Sequence, residues 1–148
     1  QALGLAENFS AGESVLVILG DNIFTANLTD AVGKFKSGAC VFVQEVHDPG
    51  RYGVATIEGD YIVTIEEKPK NPKSNFAVTG IYMYDGNVFN VIKTLRPSRR
   101  GELEITDVNN YYIQQGQMTY SRLNGDWTDA GTFESLYYAN QLMYQRGQ

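Results

Sequence analysis

Residues 14–19 (SVLVIL) form an unbroken apolar run, mostly β-branched, that stops at Gly20-Asp21-Asn22. No other feature constrains the fold as much. The run does not alternate, so it reads as a strand buried on both faces, the pattern of parallel sheets. Residues 27–37 follow, with Leu28, Ala31, Val32 and Phe35 at helical spacing and Gly38 as the stop. Residues 39–46 (ACVFVQEV) make a second buried run. Strand, helix and strand within about 33 residues predict a βαβ unit.

The middle of the chain changes character. Residues 52–57 and 61–66 flank Glu58-Gly59-Asp60, a hairpin signal, and a polar loop with Pro69 and Pro72 follows. Residues 76–84 (FAVTGIYMY) read as a strand with Gly80 inside it, and an interior glycine marks close approach of backbone or ligand. Residues 87–95 and 102–115 read as helices, separated by the basic turn Arg96-Pro97-Ser98-Arg99-Arg100-Gly101. Residues 118–123 read as a last strand, and a helix over 133–144 starts from Gly131 or Thr132. With a hairpin among parallel strands, these elements predict a single α/β domain over residues 1–148 with a mixed sheet.

Composition narrows the function. Of 148 residues, 43% are apolar and 12% aromatic, enough to build a core and too many for a disordered chain. The net charge of −5 argues against nucleic acid as a partner. The longest strongly apolar run, residues 15–19, is far below the roughly 18 residues of a membrane span. No secretory signal opens the chain, which predicts a cytoplasmic location. Cys40 is the only cysteine and His47 the only histidine, so disulfides, CxxC sites and His-rich zinc sites are excluded. Any metal here is a hard ion on oxygen ligands, such as Mg²⁺ or Mn²⁺. The chain begins at Gln1 and reads as cut at its N-terminus.

Ligands of open α/β sheets sit off the carboxyl ends of strands. Four polar clusters fall there: Gly20-Asp21-Asn22, Glu66-Glu67-Lys68-Pro69, Gly80 with Tyr82, and Trp127-Thr128-Asp129-Ala130-Gly131-Thr132. Asp21 suits a Mg²⁺ ion, although an isolated Gly-Asp-Asn more often forms a turn or cap. Asp129 is a second candidate ligand, or merely precedes a helix capped by Thr132. Lys68 can hold a phosphate while Glu67 accepts hydrogen bonds from sugar hydroxyls, yet such a pair is usually a solvated ion pair. Arg100 can grip phosphate bidentately, or sit in a solvated basic turn. His47 fits a surface position, and Cys40 a small core hydrophobe.

The order of these pieces carries more than any one of them. Leu19-Gly20-Asp21-Asn22-Ile23-Phe24, Asp48-Pro49-Gly50-Arg51-Tyr52-Gly53-Val54, Glu66-Glu67-Lys68-Pro69, Lys73-Ser74-Asn75-Phe76-Ala77-Val78-Thr79-Gly80-Ile81-Tyr82, Arg100-Gly101-Glu102-Leu103-Glu104-Ile105-Thr106-Asp107 and Trp127-Thr128-Asp129-Ala130-Gly131-Thr132 occur in series. The series resembles the glucose-1-phosphate thymidylyltransferases, within the sugar-nucleotide pyrophosphorylase superfamily. The resemblance runs from Gly4-Leu5-Ala6 to the last helix.

That resemblance implies a Rossmann-like three-layer α/β/α fold of the nucleotide-diphospho-sugar transferase type. Its sheet would be mixed and mainly parallel, and incomplete at the N-terminus. It implies transfer from dTTP to glucose 1-phosphate with release of pyrophosphate, and a cytoplasmic homo-oligomer, dimer or tetramer. Asp21 and Asp129 would hold Mg²⁺, and Lys68 and Arg100 the sugar phosphate. Tyr52, Gly53, Glu67, Val78, Gly80 and Tyr82 would line the sugar pocket with Trp127 nearby, while Gly4 and Leu5 would meet the nucleoside. One departure stands out: the family's GxGTRLxPxT-type triphosphate loop is absent from these 148 residues. The chain therefore resembles an N-terminally cut short-form member that holds the sugar-phosphate and metal half. The expectation is weak or no turnover by this chain alone. The alternative is a non-catalytic sugar-nucleotide-binding or oligomerisation remnant. A metal-dependent glycosyltransferase fits less well, because Gly20-Asp21-Asn22-Ile23 lacks the second Asp of an Asp-x-Asp motif.

Overall fold

The computed structural model describes residues 1–98, 101 and 103–146. A 3₁₀ turn (Leu3–Ala6) and one turn of helix, α1 (Glu7–Ser10), lead into strand β1 (Val15–Ile18). Next come β2 (Asn22–Phe24), α2 (Thr29–Lys34), β3 (Ala39–Glu45), a 3₁₀ turn (Pro49–Arg51), β4 (Gly53–Glu58) and β5 (Tyr61–Glu67). The rest is β6 (Phe76–Tyr84), α3 (Val88–Thr94), α4 (Ile105–Gln114), β7 (Met118–Arg122), β8 (Trp127–Asp129) and α5 (Phe133–Arg146).

Six strands form one sheet in the order β1-β6-β3-β7-β5-β4, and β2 and β8 form a separate two-stranded ribbon. Side-chain alternation sorts the layers. Ala39, Val41, Val43, Tyr82 and Tyr84 face a cluster completed by Val88, Phe89 and Val91 of α3 and Val108 and Tyr112 of α4. Cys40, Phe42, Ile81 and Met83 face the other way, against Phe24, Leu28, Ala31, Phe35 and Trp127. Helices α3 and α4 thus cover one face, while α2 and the ribbon cover the other. Each fully buried Val or Phe in these layers stabilises the fold by about 1.5–3 kcal/mol. Burial pushes the Cys40 thiol up to about 11, as suits a core residue without nucleophilic work.

The α/β class and the mixed sheet agree with the sequence, but the strand directions do not. Among the described residues only β3 and β7 pair in parallel. The pairings β1–β6, β3–β6, β4–β5, β4–β6 and β5–β7 are all antiparallel. The sheet is therefore mainly antiparallel. β1 and β3 do run the same way, but β6 lies between them, so the βαβ unit is split by an antiparallel strand. β1 itself is an edge strand with Leu16 and Ile18 42% and 44% exposed, and not a strand covered on both faces.

Local chemistry explains the element ends. The hairpin between β4 and β5 turns on Gly59, whose φ of +59° is costly for any residue with a Cβ. α5 begins with a reciprocal cap. The Ser135 N–H donates to Thr132 Oγ1 at 3.1 Å, and the Thr132 N–H donates to Ser135 Oγ at 3.0 Å. The helix expected over residues 27–37 shrinks to α2, and the helix expected from residue 102 starts at Ile105. Sequence patterning does not reveal β2 or β8 as strands at all, because three residues are too few to display a period.

Candidate functional site

Strand β6 sets the floor of the site. One residue of β3, Phe42, lies opposite the three residues Thr79, Gly80 and Ile81, because the register jumps from Val41↔Tyr82 to Val43↔Val78. Such a bulge re-aims backbone groups and is common beside functional sites. The buried Thr79 hydroxyl donates to the Phe42 carbonyl at 2.8 Å, satisfying an acceptor the distorted ladder leaves over. The Gly80 N–H turns to Asn22 Oδ1 at 2.9 Å. A Cβ on Gly80 would lie 2.2 Å from Asn22 Nδ2, so only glycine leaves room for that amide.

The ribbon brings the acidic residues together. Asn22 pairs with Asp129, Ile23 with Thr128 and Phe24 with Trp127. The Ala130 N–H donates to the Asp21 carbonyl at 2.6 Å, which extends the pairing past Asp129. A Cβ built on Gly131 would lie 3.5 Å from Asp129 Oδ2 and 3.9 Å from Asp21 Oδ2, so both carboxylates border one small space. Asp129 Oδ1 is buried and has no hydrogen-bond partner among the described residues. A buried carboxylate oxygen without a partner is costly, and a hard cation is one group that would satisfy it. Two carboxylates, with the remaining positions open to oxygens of water or ligand, form a donor set that suits Mg²⁺, so the residues present fit that ion.

A cleft of about 270 Å³ opens over this floor. Asp21, Tyr52, Gly53, Glu67, Lys68, Val78, Gly80, Tyr82, Trp127 and Asp129 all border it. Ten of the residues singled out in the sequence, drawn from β4, β5, β6, β8 and the loops beside them, thus meet in one place. Gly4 and Leu5 do not: Gly4 packs near Ile92, and Leu5 is 87% exposed away from the cleft. Arg100 lies outside the described residues, as do Arg99 and Glu102. The structure adds Leu19, Asn22, Arg51, Thr79 and Ile105 to the cleft wall. Gly20-Asp21-Asn22 offered a signal for Asn22, but a lone Asn reads as a turn residue. Thr79 and Ile105 fall within the segments that carry the resemblance, but nothing in the sequence marked either as a site residue.

Electrostatics divides the cleft. Lys68 follows β5 in a left-handed conformation (φ +45°), with its N–H donating to the Tyr52 carbonyl at 3.0 Å. Its ammonium and the Arg51 guanidinium are the cationic groups of the described cleft wall. Glu66 is drawn off into an exposed ion pair with Lys73 at 2.6 Å, whereas Glu67 borders the cleft. Burial, with the Glu67 and Asp21 carboxylates adding to it, pushes the Tyr82 phenol up to about 12. Tyr82 is thus a neutral hydrogen-bonding group throughout the physiological range. Burial and Asp129 likewise raise Tyr52. The Tyr52 ring packs against Trp127 with centroids 5.2 Å apart, and Arg51 lies 5.8 Å from the Tyr52 centroid. Aromatic faces, a carboxylate and a cation in one open cleft suit a polyhydroxylated, phosphorylated ligand.

This fold is shared with enzymes that move nucleotidyl groups. The family model described as "Nucleotidyl transferase" matches residues 1–146, and the chain belongs to that family. Within it, the chain is similar to named glucose-1-phosphate thymidylyltransferases. It is 42% identical over 147 residues to that of Neisseria meningitidis, covering 94% of this chain and 51% of the relative. It is 40% identical over 152 residues to that of Mycolicibacterium smegmatis, covering 95% and 53%. Among solved structures, a protein of Bacillus anthracis crystallised with sucrose, provisionally named a glucose-1-phosphate thymidylyltransferase, is 56% identical with a TM-score of 0.89. That match covers 96% of this chain and 59% of the other. An apo UDP-glucose pyrophosphorylase, 23% identical with a TM-score of 0.85, shares the fold. The chain spans about half the length of the curated relatives it matches.

Proposed function

We propose that the cleft binds a sugar 1-phosphate and its nucleoside diphosphate product, and serves the reaction glucose 1-phosphate + dTTP to dTDP-glucose + pyrophosphate. The observation that carries this reading is the meeting of the Asp21/Asp129 pair, Lys68 and the Tyr52–Glu67–Tyr82–Trp127 wall in one cleft. Glu67 accepts hydrogen bonds from sugar hydroxyls, Tyr82 stays a neutral phenol beside it, and Tyr52 and Trp127 cover the apolar face of the ring. Lys68, with Arg100, holds the sugar phosphate as an oriented nucleophile. A phosphate oxygen is already ionised at neutral pH, so the attack needs no general base. The oxygen forms a bond to the α-phosphorus in line, and the bond to pyrophosphate breaks. Asp21 and Asp129 would hold Mg²⁺, which when bound neutralises the phosphate charge that would otherwise oppose the approach of two anions. Gly4 and Leu5, away from the sugar end, are proposed to meet the nucleoside.

The 148 residues contain no GxGTR sequence, and on that basis the chain alone turns over weakly or not at all. Pyrophosphate release from dTTP and glucose 1-phosphate tests turnover; vigorous release by the purified chain overturns the expectation. Saturable dTDP-glucose binding without release fits the second reading, a binding remnant of the fold. A homo-oligomer is also proposed, on the exposed Leu16 and Ile18 of β1 and Phe133, Tyr137 and Tyr144 of α5. Sedimentation showing only a monomer at micromolar concentration sinks that part. Among the described residues no helix is long and apolar enough to cross a membrane.

A further inference from the structure

The side-chain amide of Asn22 ties its chain neighbour Asp21 to two distant segments of the cleft. Its Oδ1 accepts from the Gly80 N–H at 2.9 Å and from the Trp127 indole Nε1–H at 2.7 Å. Its Nδ2 donates to Asp21 Oδ1 at 2.8 Å. The first two partners can only donate, so they require an oxygen, and the amide has one orientation. In that orientation the NH₂ meets a carboxylate that can only accept. The glycine at position 80 leaves the space in which the amide sits, since a Cβ there would overlap it. Asn22 also stands directly opposite Asp129 in the ribbon.

We infer that Asn22 is the positioning residue of the cleft. It occupies Oδ1 of Asp21 while Oδ2 borders the space shared with Asp129, and the same amide holds the Trp127 ring against Tyr52. It thereby joins the cation end of the cleft to its aromatic wall. A carboxylate oriented by a fixed donor is pre-organised as a ligand, and losing such a donor commonly weakens a metal site by about 10- to 100-fold. The inference rests on the proposed reading of Asp21 as a metal ligand.

The test follows Mn²⁺ uptake by the whole chain, with and without dTDP-glucose, through the paramagnetic signal of free Mn²⁺. Trp127, the only tryptophan, reports its own surroundings by fluorescence. Asn22→Ala is expected to weaken Mn²⁺ binding by about 10- to 100-fold and to shift Trp127 emission to the red. Asn22→Ser carries the same expectation and keeps a polar group in place should the alanine variant fail to fold. In an Asp21→Asn background the same substitution is expected to change Mn²⁺ affinity less than about twofold, because its effect passes through Asp21. Equal losses in both backgrounds would mean a merely structural role and overturn the inference. So would wild-type Mn²⁺ affinity in both folded Asn22 variants while Asp21→Asn is impaired, a result that leaves the metal reading standing. A wild-type chain that takes up no Mn²⁺ overturns the metal reading and the positioning role together.

Discussion

At Lys68 a strained backbone coincides with the proposed phosphate-binding ammonium. A side chain in the left-handed region costs about 1–2 kcal/mol relative to the right-handed one, and strain of this kind gathers at functional sites. Lys68→Gly is therefore expected to raise stability by up to about 1 kcal/mol in denaturant melts. The same change should weaken dTDP-glucose binding by about tenfold or more, since a hydrogen bond from a charged group contributes about 1.5–3 kcal/mol. A variant that binds normally removes Lys68 from the site. Glu67 and Lys68 were legible in the sequence because both belong to one short segment at a strand end. Asn22 was not legible as more than a turn residue. Its partners, Gly80 and Trp127, are 58 and 105 positions away, and only the folded ribbon brings them to it.

At the scale of elements, the bulge in β6 and the ribbon β2–β8 matter most. Thr79→Val removes the hydroxyl that satisfies the Phe42 carbonyl and is expected to destabilise by about 1–3 kcal/mol, read as a lowered denaturation midpoint. Gly80→Ala forces a methyl into the Asn22 amide and is expected to cost about 1–3 kcal/mol and to red-shift Trp127 emission. An unchanged emission maximum would show the amide does not sit there. Residues 76–84 were legible as a strand, and the glycine inside it as a close approach. What approaches was not, because a bulge is a relation between two strands. The ribbon escaped for a simpler reason. Ile23–Phe24 and Trp127–Thr128 lie between turn-forming residues, and the Phe24 and Trp127 side chains become a layer only against Leu28 and Phe35 of the same face.

Over the whole molecule, buried tyrosines tie the sheet to its helices. Tyr84 donates to Asn109 Oδ1 at 2.6 Å, and Tyr112 donates to Asp85 Oδ1 at 2.8 Å, joining β6 and its end to α4. Burial raises Tyr84, and burial with the Asp85 contact raises Tyr112. Tyr82, raised to about 12, keeps its proton in the folded chain where the unfolded chain loses it near pH 10. The unfolded state then binds fewer protons, so stability falls as pH rises from 10 to about 12. For Tyr82 alone the loss is roughly 2–3 kcal/mol. Tyr82→Phe should flatten this alkaline decline without removing it, because Tyr84 and Tyr112 remain; an unaltered slope would contradict the assignment. The α/β class was legible at this scale, since apolar runs alternate with helical spacing. Strand direction was not. The continuous apolar run of β3 records burial on both faces, and here an antiparallel β6 and a parallel β7 flank that strand together.

The central claim is that Asp21, Lys68 and the aromatic wall form one sugar-nucleotide site. Calorimetric titration of the chain with dTDP-glucose and Mg²⁺, beside Asp21→Asn, tests it most directly. The account predicts saturable binding by the wild-type chain that weakens about tenfold or more in Asp21→Asn. A folded chain that binds no dTDP-glucose, or binds it equally well in both forms, would contradict it.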